Sequence, residues 1–324
     1  MKKYLLFAVL ALVFASCRTD VDLYIDNGDT TIIYSILDAK ADTNFIKVSK
    51  SSLHGDYYYE EDDIDVYFTG LFEDETAVDT LQLYPISKSE KGEVKSLYFT
   101  TKKLREGEIY EVFVIRHEDG LKVSAKVRTI YHIKFNKPSP YVQHLDFKYT
   151  SPRTVEWVGG NMESNFQINA GYFEVSGYFH YRELMPGAQD TIDQSMEWYM
   201  GGAEAGYLFN STYNYYVVSY TPCFLFSLLE RDEYLKNNSP YGVQRWLKDF
   251  EFRITVLGEE LYGYNISNSA GNHNPEINNY TNVENGLGVV CSYTTVSAFH
   301  TIDQISRRKI RDNYPYGFYY DPNR

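Results

Sequence analysis

Cysteine is nearly missing from this chain, with three residues in 324. No Cys-x-x-Cys pair exists, so a cysteine-based metal site has no ligand set. Positive charge is short too. Lysine and arginine number 31 against 44 acids. The net charge of −13 argues against nucleic acid and against electrostatic adhesion to anionic lipid. No apolar run reaches the roughly 20 residues that a membrane-spanning helix needs. The familiar catalytic signatures are absent as well: no Walker loop, no Gly-x-Gly-x-x-Gly, no Gly-x-Ser-x-Gly elbow and no His-Glu-x-x-His. Gly286-Leu287-Gly288 lacks the third glycine of a dinucleotide site. The seven histidines are scattered, and only His132 and His144 lie close enough in sequence to be considered together. These absences predict no cofactor and no metal centre.

The N-terminus carries the most specific local pattern. Lys2 and Lys3 precede an apolar run, Tyr4 to Phe14, and the small residues Ala15 and Ser16. That order is a signal peptide of residues 1–16. Cys17 follows the small pair, at the position of the lipidated cysteine of a bacterial lipobox. The competing reading is an ordinary signal peptide with an incidental cysteine. The scarcity of cysteine elsewhere favours lipidation at Cys17. A lipidated cysteine carries more than one acyl chain, which anchors a protein stably. Residues 17–23 then form a lipid-anchored tether. From Cys17 onward 29 basic residues face 44 acids, a net charge of −15. Cys223 and Cys291 are the only other cysteines, and their spacing leaves a disulfide and two free thiols equally open.

What the chain has in abundance is tyrosine. Its 32 tyrosines, with 19 phenylalanines and three tryptophans, bring aromatics to 17 %. Tyrosine favours strands and half-buried surfaces. It also favours contact faces, because a large rigid ring carries a polar tip. A β-rich exported protein and a tyrosine-lined recognition face both follow. Trp157, Trp198 and Trp246 are candidate binding anchors, with core packing as the competing role.

Residues 24–130 alternate as strands do. "TTIIYSILD" and "TNFIKVSKS" flank the polar turn "AKAD" and predict a hairpin. "DIDVYFTGLF" and "KSLYFTT" are further strands, and Pro85 in "LQLYPIS" predicts an edge position. Asp119-Gly120 sits between two alternating runs, a strong hairpin signal because the turn needs positive φ. Leu104, Gly107 and Tyr110 have the spacing of a tyrosine corner, in which the hydroxyl bonds back to the chain just upstream. About seven short strands in this length predict an Ig- or fibronectin-like β-sandwich. Glu60, Glu61, Asp62, Asp63 and Asp65 crowd one loop, but without the spacing of a calcium loop they predict a solvated charge run.

"NKPSPY" marks the start of a second unit, residues 131–324. "RTVEWV", "GYFEVSGYFHYREL" and "YNYYVVSYT" predict strands of a larger antiparallel sheet. "PCFLFSLLERDEYLKN" changes to helical period, so one amphipathic helix is expected near residues 223–237. "DFEFRITVLGEELYGYNISN" predicts a strand and then a short helical segment. Asn285-Gly286 and Gly288 predict a turn or a close backbone approach before another strand. The expected fold class is therefore predominantly all-β, a sandwich followed by a larger antiparallel domain with one or two short helices.

Gly107, Tyr110, Asp119 and Gly120 also form part of a resemblance. Farther on come Glu259, Glu260, Leu261, Tyr262 and Tyr264, then Asn274 and Pro275, then Asn282, Val283, Gly286 and Gly288. With the lipobox-like start, this series resembles a Bacteroidetes outer-membrane lipoprotein family built on a domain of unknown function and often encoded beside TonB-dependent receptors. The resemblance implies an outer-membrane lipoprotein, an accessory to a nutrient importer, and it offers no catalytic residues. It leaves the periplasmic and cell-surface sides open. Asp29-Thr30-Thr31, Asp79-Thr80-Leu81 and Asp190-Thr191-Ile192 fit the short pattern that resembles the O-glycosylation sequon of such bacteria.

The function expected is that of a non-enzymatic binding or accessory module. It would be held on the membrane through its lipid, with a TonB-dependent receptor or a glycan or peptide ligand as partner. A structural or adhesive surface protein is the alternative. A carbohydrate-active hydrolase is the second alternative, because a carboxylate pair is set in space and not by spacing. Glu156, Glu174 and Glu197 lie beside aromatics and are the candidates for such a pair.

Overall fold

A computed structural model describes residues 30–319, apart from 52–57, 61, 72–78, 87, 90–91, 94–95, 140, 143, 160–168, 211–214 and 270–279. Cys17, the signal peptide, the tether, Asp29, Glu61, Asn274 and Pro275 lie outside the described residues.

The first half supplies ten strands. They are β1 (Thr30–Leu37), β2 (Asn44–Ser51), β3 (Ile64–Leu71), β4 (Asp79–Leu81), β5 (Tyr84–Pro85), β6 (Lys88–Ser89), β7 (Gly92–Glu93), β8 (Leu97–Thr100), β9 (Ile109–Arg116) and β10 (Lys122–Arg128). One sheet runs β1-β2-β8-β5 and the facing one β10-β9-β3-β4. Lettered along the chain, these are A-B-E-D and G-F-C-C′, the strand order of an immunoglobulin-type sandwich. Alternation makes both inner faces apolar: Ile33, Ile46 and Val48 from one sheet meet Phe68, Val112, Val114 and Val123 from the other. Pro85 lies on β5, the outermost strand, where its missing N–H breaks no ladder. The Tyr110 hydroxyl accepts a hydrogen bond from the Arg105 amide at 2.7 Å, which is the tyrosine corner, at the start of strand F. The Asp119-Gly120 hairpin differs from a two-residue turn. Residues 117–121 connect β9 to β10, only Gly120 takes positive φ (68°), and Asp119 caps the Leu121 amide.

The second half continues with β11 (Ile133–Lys137), β12 (His144–Leu145), β13 (Arg153–Gly159), β14 (Tyr172–Leu184), β15 (Ile192–Glu204), α1 (Ala205–Leu208), β16 (Phe209–Asn210) and β17 (Tyr215–Tyr220). Next come α2 (Phe224–Arg231), α3 (Glu233–Asn237), β18 (Gln244–Leu257), α4 (Glu259–Ser267), β19 (Val283–Glu284), β20 (Leu287–Ile302), α5 (Gln304–Asn313) and β21 (Phe318–Tyr319). The helix expected at 223–237 is two helices. The chain leaves helical φ/ψ at Asp232, whose carboxylate then caps the amide of Leu235. The sheet β11-β13-β17-β16 packs on the long antiparallel strands β15-β14-β18-β20 around a second core.

The two cores divide the chain near residue 128, but the sheets do not. β20 serves both halves. Leu287–Ser292 pair in parallel with Ile32–Leu37 of β1, and Tyr293–His300 pair antiparallel with β18. β19 adds to the edge of the first sandwich beside β10. Gly288 marks the crossing. It takes φ of 106°, and a Cβ there would stand 2.1 Å from the Ile33 carbonyl oxygen, so only glycine lets the strands approach. Gly286 is similarly tight against the Thr31 carbonyl, and Gly107 lies under the Tyr131 ring.

Candidate functional site

Two of the three tryptophan anchors are core residues. Trp157 is fully buried, packed on Phe173 and stacked with Tyr216 at 5.9 Å. Trp198 is buried against Tyr220, Phe224 and Phe250. Neither ring presents a face to a ligand, because alternation on β13 and β15 points both inward. Trp246 remains half-exposed on β18. Cys223 and Cys291 are free thiols. Burial pushes the Cys291 thiol up to about 12, helped by the nearby Glu260 carboxylate, so it is an unreactive group.

Of the three sequence-picked carboxylates, Glu156 is buried on β13, where Lys137 and Thr154 donate to it at 2.9 and 2.8 Å. Glu174 and Glu197 lie on the outward face of β14 and β15 with a group the sequence did not single out. The ladder sets Glu197, Tyr178, Glu251 and Phe299 in one row across β15, β14, β18 and β20. The next row is Tyr199, Ser176, Arg253 and Ser297. Period-two alternation sends the partner residues Phe173, Phe179, Phe250 and Phe252 into the core.

Glu251 is the hub of this platform. Arg253 donates to it in a fork at 2.7 and 3.0 Å, Ser297 donates at 2.5 Å, and His180 Nε2 lies at 3.0 Å. Burial opposes the charge on Glu251, but the Arg253, Ser297 and His180 hydrogen bonds outweigh it and hold the carboxyl below its usual range. Arg253 in turn covers the Tyr178 ring at 4.1 Å. Tyr178 donates to Glu197 at 2.9 Å, and burial followed by this bond raises its pKa. Tyr178 and His180 stack, and His180 stacks on Phe299. Phe299 is 60 % and Tyr199 56 % exposed. The Tyr199 hydroxyl is pushed up to about 12, first by its hydrogen bond with Tyr172 and then by burial. Tyr172 stacks on Tyr262 of α4, which donates to Glu204. The result is a surface of aromatic rings around fixed charges, suited to stacking and hydrogen bonding.

His132 and His144 do not converge. His132 pairs with Glu106 at 2.9 Å and His144 with Thr301 at 2.5 Å. The acidic loop closes on itself: Asp63 accepts from the Glu60 amide, and His117 bridges the Asp62 carbonyl and Asp65. No metal-ligating group of three forms among the described residues. No helix among them is long and apolar enough to cross a membrane. Thr80 and Thr191 are both exposed.

The buried ion pair of Arg245 and Glu183 was also beyond sequence reasoning, since the two lie 62 residues apart. Arg245 donates to Glu183 at 2.6 Å, to Ser239 at 2.8 Å, to the Asn238 carbonyl at 2.5 Å and to the Tyr316 carbonyl. Tyr234 donates to the other Glu183 oxygen at 2.7 Å. It is a clamp that ties α3 and the C-terminal turn to the sheet.

No family model matches the chain, and no curated protein matches it. Among solved structures it is similar to a chain titled as a cytokine receptor complex, at 10 % identity over 85 % of this chain and 99 % of that one, with a TM-score of 0.22. It is also similar to chicken CNTN1 FN1–FN3 domains, at 10 % identity over 85 % of this chain and 67 % of that one, with a TM-score of 0.20. The fibronectin-like reading of the first sandwich stands on its own strand order.

Proposed function

We propose that this chain is a non-enzymatic, lipid-anchored outer-membrane module that binds its ligand on the outer face of the long sheet. The observation that carries this is the platform, where Phe299 and Tyr199 stay exposed beside the fixed charges of Glu251, Arg253 and Glu197. Aromatic faces with neighbouring hydrogen-bonding groups suit a glycan, whose rings present C–H faces and hydroxyl rims. The anchor rests on Cys17 after a short apolar run and two small residues. Partnership with a TonB-dependent receptor rests on the family resemblance.

A hydrolase reading finds little support on the platform. Glu197 and Glu251 flank Tyr178, yet Glu251 is ionised and held by three side chains, so it has no proton to give. An adhesive role has one observation in its favour. Tyr84, Phe99 and Phe45 form a cross-strand row, with Ile36 on the same outward face, and Tyr84, Phe45 and Ile36 are exposed.

The test is a glycan array with the mature protein, followed by titration of any hit. Phe299→Ala and Tyr199→Ala should each weaken binding about tenfold or more. Unchanged affinity in both would remove the platform from recognition. Palmitate labelling that survives Cys17→Ser would remove the anchor. Concentration-dependent self-assembly that Phe45→Lys abolishes would favour the adhesive role.

A further inference from the structure

A cleft of about 640 Å³ opens where β12, β18 and β20 meet the start of α5. It adjoins the platform: Thr301 is two residues beyond Phe299, and Asp249 two residues from Glu251, on the same strands. Its size falls in the range of small-molecule sites.

One wall holds an unusual arginine. Arg307 is only 9 % exposed, and its Nε donates to the Ile302 carbonyl at 2.7 Å. Its two terminal amino groups meet no partner among the described residues, and Arg307 lines the cleft. A guanidinium on an otherwise buried side chain, with its open donors reaching the cleft, is poised for a planar anion, because its fork matches two oxygens at once. Lys248 adds positive charge to the lining, although its ammonium already reaches Asp193 at 3.2 Å.

The remaining lining narrows the ligand. Asp303 is occupied, accepting from the amide and hydroxyl of Ser306. Asp249 and Gln304 line the cleft and meet no side-chain partner among the described residues. A doubly charged phosphate would face repulsion from Asp249 and Asp303. A single carboxylate with neighbouring hydroxyls fits better, with the carboxylate on Arg307 and the hydroxyls donating to Asp249. Ile302 is the one aliphatic residue of the lining, and the carbon stems of the longer side chains supply the rest of its apolar surface.

We infer that this cleft binds a sugar acid through the buried Arg307, with Asp249 and Gln304 reading its hydroxyls. The inference extends the glycan reading of the platform but stands on different residues, so each can fail alone.

Calorimetric titration of the full mature chain with D-glucuronate, D-glucose and inorganic phosphate tests it. Glucuronate should bind saturably, and glucose and phosphate about tenfold more weakly or worse. Arg307→Lys keeps the charge but loses the fork, and should lower glucuronate affinity about tenfold. Because Arg307 is buried, Asp249→Asn on the cleft wall is the second variant. It should weaken glucuronate and strengthen phosphate. Equal binding of glucuronate and glucose, no binding of glucuronate, or affinity unchanged by both variants would each overturn the assignment. Loss of array binding in Phe299→Ala with intact glucuronate binding separates the platform from the cleft.

Discussion

Two Glu–Arg pairs, each with its arginine on β18, show what the same chemistry does in two settings. Arg245, near the start of β18, and Glu183, opposite it on β14, are fully buried, and the arginine is tied to two backbone carbonyls and Ser239 as well. Arg253 and Glu251 lie mid-strand on the outward face, with the carboxylate buried and the guanidinium partly open. The first pair has no access to solvent or ligand, so its only consequence is structural. The second keeps one partner at the surface, so its fixed field is available to something outside. Position along an alternating strand decides which role a pair can take.

The largest expected effect comes from breaking the inner pair. Arg245→Met leaves the buried Glu183 without its cation, with Tyr234 its one remaining side-chain donor among the described residues. The loss should be about 3–5 kcal/mol in urea unfolding. Replacing both partners, Glu183→Leu with Arg245→Met, should recover much of that loss, because no uncompensated charge remains. A double variant as unstable as the single one would show that the backbone ties of Arg245, and not the ion pair, hold the clamp.

Breaking the outer pair should do less to stability and more to recognition. Glu251→Gln keeps the shape but loses charge-assisted bonds to Arg253, His180 and Ser297. About 1.5–3 kcal/mol should be lost. The pH dependence has a definite sign. The folded pKa of Glu251 is depressed, so its contribution is fully present above the unfolded carboxylate value, about 4.3. It is lost as pH falls through the folded value. Stability of the wild type should therefore drop more steeply than that of Glu251→Gln below about pH 4.5. Parallel curves would mean that Glu251 is not held ionised by its neighbours.

Much of the frame around these pairs was legible in the sequence. Alternation located β1, β2, β3, β13, β14 and β17 to within a few residues, and Tyr110 was recognisable from Gly107 and Leu104. The helix near 223–237 was seen, but its break was not, although Asp232 is a capping residue inside the apolar stripe. α5 was missed because its exposed face is charged and Ile310 is the only apolar side chain it buries. Asp303 three residues before Ser306 was the available signal. The double role of β20 was illegible, since β1 and β20 pair across some 255 residues and no local period records that. Arg307 was hidden for the same reason: an arginine in a polar helix reads as solvated until the fold buries it.

A carboxyl without such partners makes the reverse case. Glu260, at the start of α4, has one buried oxygen with no hydrogen-bond partner, and burial raises its pKa. Its folded pKa lies above the unfolded value, so ionisation opposes folding as pH rises through that window. Glu260→Gln should raise the unfolding midpoint at pH 7 and leave it nearly unchanged at pH 4. The gain should be smaller than the losses above. A lower midpoint at pH 7 would mean that the charge at this position is satisfied after all.

The smallest effect is expected at the third buried carboxylate. Glu156 resembles Glu251 in burial, but its cation, Lys137, is a single ammonium on a side chain that is mostly in water. Glu156 also accepts from Thr154 and Asn136, which remain if the lysine is removed. Lys137→Met should therefore cost at most about 1 kcal/mol, and the cost should shrink further in high salt. If the loss instead equals that of Glu251→Gln, burial of the carboxylate sets the energy of these pairs. If it is smaller, as expected, what matters is how many of the carboxylate's donors are lost at once, and that is what separates the Arg253 fork from a lone lysine.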